Sequence, residues 1–362
     1  MGVLHLALAL IVAAGAPIRE RPNFGLKTLH QSGEPGLLLT PKLLKREPRY
    51  EALKGLSRFD EHTLFGKGPH PDDVLQGTLG DCYFLATVSS LARANPDLIK
   101  GLFARNDDGT LALDSAGRVQ AMFYREDDYG DFVRDLAPIT TKIPVDRKGR
   151  PIFARVADQK LWVVALEKAF AVWNDKFYGT SQRLEIEPSR YERWRTGWDR
   201  IDGGHAWRVM EALTGIWASH HTIEATRESA FVTYTRIQRA LAEGRLVDAS
   251  SVSMRALKLH ERVQSARATR LLRNNGSLRI ANDLITGGHA YSVFGAYERH
   301  GQRYVLLRNP FGERHRKSPE SEGATFELPL EKFTLLFNWL DVSGQLNHST
   351  PPSAGEGQGG GN

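Results

Sequence analysis

Apolar positions recur at helical spacing in the first half of the chain. Phe84, Leu85, Val88 and Leu91 line one face of a segment running from Cys82 towards Ala94, with Pro96 beyond its end and Asp81 placed to cap its start. A second helical run covers 161–173. A third covers 205–214 and is closed by Gly215. Between the first two, 112–124 and 132–145 read as strands split by the turn-rich 125–130. The pattern then changes. Residues 230–234 and 246–253 are β-rich, with a helical stretch at 236–243, and 290–297, 303–308 and 325–329 read as further strands. Residues 331–339 fit either a helix or a strand. A helical part followed by a strand-rich part predicts an α+β fold. Its lobes are expected at about 59–215 and 216–343, and the natural place for a site is the cleft between them.

The two ends differ from this core. Residues 2–16 carry no charged side chain beyond the weak base His5 and end in Ala14-Gly15-Ala16, like the apolar region and cleavage site of a secretory signal. No Lys or Arg precedes that run, and Pro17 would follow the cut, so export and a cytoplasmic location both stay open. Residues 17–58 are basic, with Pro and Gly at intervals, and read as a linker or pro-segment; 344–362 read as a disordered tail. The folding part, 59–343, shows no internal repeat.

Apolar residues make up 41% and charged residues 25% of the chain, which places it among globular proteins. Beyond the N-terminus no run is apolar enough to span a bilayer. The charge balance, 48 − 42 = +6, is a mild basic excess without the concentrated stripe that nucleic-acid binding wants, so no nucleic-acid partner is expected. The single cysteine, Cys82, excludes an intrachain disulfide and a cysteine-based structural zinc site.

That cysteine ends a glycine-containing loop, Gln76-Gly77-Thr78-Leu79-Gly80-Asp81, and opens an apolar helix. Unpaired amides at a helix start favour thiolate over thiol, so a lowered pKa is expected there. The backbone amide of Cys82 and the side-chain amide of Gln76 are placed to form an oxyanion hole. A nucleophilic cysteine needs a base, and the base needs an orienting group. Among twelve histidines, His205 and His289 share a Gly-His-Ala-aromatic context. His205 opens a helical pattern with no orienting group close downstream. His289 leads into a strand whose return strand ends at Asn309, so an antiparallel pair would bring the Asn309 oxygen to the imidazole.

The run from Gln76 to Ala86 resembles the active-site signature of the calpain family, with Tyr83 where Trp is usual. Gly288-His289-Ala290-Tyr291 and Arg308-Asn309-Pro310-Phe311-Gly312 resemble two further family motifs; Phe311 stands where a Trp shields the His–Asn bond. Residues 161–171 resemble the family's Leu-Trp helix, and Gly203-Gly204 its Gly-Gly pair, which makes His205 a structural neighbour. The resemblance covers roughly 60 to 343. It implies a papain-like two-lobed core and a cysteine endopeptidase making limited cuts in proteins, with Cys82, His289 and Asn309 catalytic. No organic cofactor is implied.

Many calpain cores are switched by calcium. Asp73 matches one family ligand position, but Lys160 and His315 fall where acids are expected, and a lysine repels the ion. Little or no calcium dependence is therefore expected. The acidic run Glu126-Asp127-Asp128 reads as a solvated turn. The basic stretch 255–279, with Lys258, Arg262, Arg267, Arg270 and Arg273 against one acid, Glu261, reads either as a mobile solvated loop or as a surface that attracts acidic segments of a protein substrate. Two alternatives use the same residues: acyl transfer to an amine, and a catalytically silent binding module.

Overall fold

The computed structural model describes residues 49–53, 56, 58–179, 198, 201–252, 272–274, 277–280, 283–312 and 324–346. The proposed signal at 1–16, residues 17–48, His315, most of the basic stretch at 255–279 and 347–362 lie outside the described residues.

The chain runs β1 (Arg49–Ala52), α1 (Glu61–Phe65), a 3-10 turn (Pro71–Asp73), α2 (Cys82–Ala94), α3 (Pro96–Gly101), β2 (Val119–Glu126), β3 (Phe132–Ile139), β4 (Lys142–Val145) and α4 (Trp162–Gly179). Then follow α5 (Ala206–Thr214), β5 (Ser219–Thr222), α6 (Arg227–Ala242), β6 (Val247–Ser251), β7 (Leu272–Asn274), β8 (Ser277–Ile280) and β9 (Asp283–Thr286). The last elements are β10 (Ala290–Arg299), β11 (Gln302–Arg308), β12 (Thr325–Pro329), α7 (Leu330–Leu336) and β13 (Phe337–Val342). Helix and sheet are thus mixed in the α+β manner.

The main sheet is six-stranded, in the order β12-β11-β10-β6-β13-β5, and its neighbours are antiparallel. β10 and β11 form the predicted return pair, with Ser292 opposite Arg308, so the residues flanking this pair's open end meet. Among the described residues three small sheets, β1-β4, β2-β3 and β7-β8-β9, complete the strands. β1 corrects one expectation: Arg49 to Ala52 pair with Val145 to Lys142, so these residues are part of the fold and not of a linker. At the other end Gly344 bonds to Trp217 and Leu346 is buried, so the first residues of the expected tail are packed too.

Buried apolar side chains gather in two clusters. One takes in α2, α4, α5 and β2, with Phe84 stacked on Phe170 at 4.4 Å. The other takes in the faces of β6, β10, β11 and β13 against α6 and α7, around Ile237, Val293, Leu307 and Phe333. The run at 230–234 belongs to α6 and not to a strand. Thr226 caps that helix by accepting from the Ser229 amide at 3.1 Å, and Ala230, Tyr234 and Ile237 fall on its buried side. The acidic run at 126–128 lies at a turn in which the Asp127 carboxylate accepts from the amides of Tyr129 and Asp131. Among the described residues no helix is long and apolar enough to cross a membrane.

α2 occupies the predicted 82–94 and is buried from Tyr83 to Ala92, which means its small polar residues also face protein. They face the main sheet. Thr87 and Ser90 donate to the two oxygens of Asp248 on β6, each at 2.6 Å, and Ser292 on β10 donates to the Ala86 carbonyl at 2.8 Å. A buried polar group is tolerated where it is hydrogen-bonded, and these bonds set the helix's position on the sheet.

Burial pushes the Asp248 carboxyl up to about 7, with Asp341 opposite it on β13 adding to the effect. A carboxyl raised in the fold stabilises fully below its unfolded pKa and loses that contribution as pH rises through the folded value. Between pH 4 and 8, denaturant melts of Asp248→Asn should therefore vary less with pH than those of the wild type. Parallel curves would show that Asp248 does not titrate in this range.

Candidate active site

The loop before α2 is held against the segment 152–155. Thr78 N donates to the Ile152 carbonyl at 3.0 Å and Arg155 N to the Leu75 carbonyl at 2.8 Å. The contact is close enough to require glycine at 77, where an added Cβ would stand 1.6 Å from the Phe153 carbonyl oxygen. Gly80 N donates to Asp202, and Gln76 N crosses to the Pro310 carbonyl at 2.8 Å. The loop is thereby tied both to its own side of the chain and to the turn after β11.

Cys82 is the first residue of α2 and is half-buried against the first cluster. Its Sγ accepts from the Ala290 amide at 3.4 Å, which places the thiol at the start of β10, next to His289 in sequence. Asp81, expected to cap α2, makes no side-chain cap bond; its backbone is not extended and its Oδ1 lies 3.4 Å from Gln76 Nε2.

The expected fall in the cysteine pKa is not found. Burial pushes the Cys82 thiol up to about 12; Asp81 and Asp202 push in the same direction, and the Ala290 N–H opposes them. Asp81 is itself held neutral-leaning. Burial raises the carboxyls of Asp81 and of Glu167 on α4, and each carboxyl faces the other. Glu167 also accepts from the Ala154 amide at 2.8 Å, which anchors the segment that supports the loop.

His289 is buried and its backbone is clamped by β6: its amide donates to Ser251 Oγ at 3.0 Å and its carbonyl accepts from Ser251 N at 2.9 Å. Its Nε2 lies 3.0 Å from Asn309 Oδ1. The same oxygen accepts from the Phe311 amide at 3.0 Å, so it is an acceptor and Nε2 carries the hydrogen. That leaves Nδ1 as the basic nitrogen. Phe311 stacks on the imidazole at 4.4 Å and 18°, while Tyr291 meets it edge-on at 4.9 Å. The structure thus brings together Cys82, His289, Asn309 and Phe311.

Gln76 lies on the same loop, but its Nε2 donates to the Leu79 carbonyl at 2.7 Å and approaches Asp81 at 3.4 Å, while its Oε1 is buried without a partner. In this structure the amide is turned into its own loop. His205 is apart from the set. It precedes α5 and lies 6.1 Å from the ring of His220, and burial holds its imidazole down to about 4. Asp73 is also occupied: its Oδ1 pairs with Lys160 Nζ at 2.5 Å, and its Oδ2 accepts from Trp162 Nε1 and His70 N at 2.8 Å each. Lys160 Nζ donates as well to the Gly68 carbonyl at 3.3 Å. Among the described residues no group of three or more His, Cys, Asp or Glu is arranged to hold a metal ion.

Sequence reasoning gave no role to Ser251, nor to Glu167 and Arg308, although these two stand in stretches it singled out. Glu167 had a signal, an acid inside an otherwise apolar helical run; Ser251 had none.

Residues 49–190 match the family described as "Calpain family cysteine protease". The chain is 28% identical over 257 residues to "Calpain-9" of Rattus norvegicus, covering 70% of this chain and 30% of that protein. It is 26% identical over 246 residues to the "Calpain-2 catalytic subunit" of Gallus gallus, covering 67% and 28%. It is also 26% identical over 262 residues to the "Calpain-type cysteine protease DEK1" of Zea mays, covering 71% and 10%. The matched region spans less than a third of the length of these relatives.

Gly77→Ala tests the loop's packing. Displacing it from the Phe153 carbonyl should cost about 1–3 kcal/mol in a denaturant melt. Unchanged stability would mean that the loop is not held there.

Proposed function

We propose that this chain is a cysteine endopeptidase working through Cys82, His289 and Asn309 in a papain-like, two-lobed core. The observation that carries the reading is the thiol of Cys82 bonded to the amide next to His289, whose ring is oriented by Asn309 at 3.0 Å. The two separate apolar clusters support the two-lobed arrangement, with the site in the cleft where α2 meets β10.

At rest the sulfur is a thiol, because burial disfavours its charge. As Sγ attacks a peptide carbonyl, the thiol proton passes to His289 Nδ1, and the carbonyl oxygen becomes an oxyanion. The Cys82 amide donates to that oxyanion. Gln76 joins it by releasing its long contact to Asp81, since a 3.4 Å approach restrains the amide weakly. The imidazolium then protonates the leaving amine, and a thioester remains on Cys82. Water hydrolyses the thioester with His289 as base. Phe311 covers the His289–Asn309 bond from water.

The chemistry calls for no organic cofactor, and calcium is not required. The ammonium of Lys160 already neutralises Asp73 and binds the neighbouring Gly68 carbonyl, so the loop before Gln76 carries an internal cation. Substrates are proteins cut at exposed segments, with acidic stretches favoured by the basic run 255–279.

Casein digestion by the full chain, with and without a calcium chelator, tests this reading beside Cys82→Ala. Cleavage that needs Cys82 and survives chelation is the expected result. Cleavage only with calcium would overturn the role given to Lys160. Transfer to added amines in preference to water would make the protein an acyltransferase, and no reaction would favour a binding module.

A further inference from the structure

Arg308 is among the largest fully buried side chains, with 1% of its surface exposed. It is the last residue of β11 and directly precedes Asn309. Its guanidinium leaves the main sheet and reaches the other half of the site. Nη2 donates to the Val74 carbonyl at 3.0 Å, two residues before Gln76. Nη1 donates to Ser89 Oγ on α2 at 3.3 Å, and Nε lies 3.4 Å from Asp72 Oδ1.

The ion pair does not explain this placement. Asp72 is 71% exposed, so water screens the attraction. Burial, moreover, holds the guanidinium below its usual pKa. An apolar side chain of similar length would fill the space without that desolvation cost. What only arginine supplies is a rigid planar fork whose separate N–H groups reach three oxygens on three segments at once. Those segments are the turn at 71–73, the Gln76 loop and the helix of Cys82. The strand that holds the fork delivers Asn309, and a second crossing, Gln76 N to the Pro310 carbonyl, lies two residues along.

We infer that Arg308 is a positioning residue, which sets the distance between the His289–Asn309 pair and the loop and helix carrying Gln76 and Cys82. The inference rests on the peptidase reading, in which that distance governs proton transfer from the thiol. It acts through Val74 and Ser89, and the Asp72 contact is dispensable.

Cys82 is the single cysteine of the chain, so alkylation by iodoacetamide reports it alone. Alkylation rate against pH, casein kinetics and thermal stability would be compared for the full-length wild type, Arg308→Met, Ser89→Ala, Asp72→Asn and His289→Ala. Arg308→Met should lower kcat about 10²-fold with KM little changed, the size expected of a misplaced site. Its alkylation profile should move towards that of His289→Ala. Ser89→Ala should shift the profile the same way by less, with no large loss of stability, and Asp72→Asn should resemble the wild type. If Arg308→Met does not fold, Arg308→Lys and Ser89→Ala carry the comparison. Variants that lose stability but keep the wild-type profile and kcat would overturn the inference. Absence of casein cleavage by the wild type would defeat the peptidase reading, and the alkylation profiles would still decide the role of Arg308.

Discussion

The amide of Ala290 donates to the sulfur of Cys82, and the surrounding structure can be understood as what keeps that contact in register. The cysteine is fixed by a helix and the histidine by a strand. The helix packs in one apolar cluster and the strand mostly in the other, joined to the first through Ala290, and apolar packing is tolerant of small displacements. Hydrogen bonds are not. Asp248 takes both hydroxyls of Thr87 and Ser90, Ser292 takes the Ala86 carbonyl, and Arg308 reaches Ser89. Each polar residue on the sheet-facing side of α2 therefore has an assigned partner, and sliding the helix would leave buried groups unpaired.

The same burial shapes the electrostatics. A thiol at a helix start in water-exposed surroundings would ionise easily. Here desolvation and the nearby carboxyls outweigh the Ala290 donation and hold the proton on sulfur. In the proposed mechanism His289 removes that proton during attack and does not merely pair with a ready thiolate. Its own geometry suits the task, since Asn309 accepts from one ring nitrogen and leaves the other basic, with Phe311 lying flat against the ring.

Much of this was legible in the sequence. The limits of α2 were plain because the apolar spacing is helical and Pro96 follows, and α5 stops at Gly215 in the left-handed conformation, as read. Asn309 could be placed beside His289 because two strands joined by a short turn must return to the same edge. The misreadings share a cause. Residues 230–234 looked like a strand because valine and threonine favour one, but burial at helical spacing and the Thr226 cap prevailed. Asp81 looked like a cap, yet its side chain is drawn inward towards Gln76 and Glu167. The cysteine pKa was judged from helix position alone, whereas burial decided its direction. In each case the missing information was the tertiary surroundings, which local spacing does not carry.

The central claim is that His289 activates the buried thiol of Cys82. A peptidyl epoxide, offered to the full chain in the presence of a chelator, tests it most directly when the adduct is located and timed by mass spectrometry. The account predicts an adduct on Cys82 that forms about 10²–10⁴-fold more slowly in His289→Ala. An adduct forming equally fast in both proteins would contradict it.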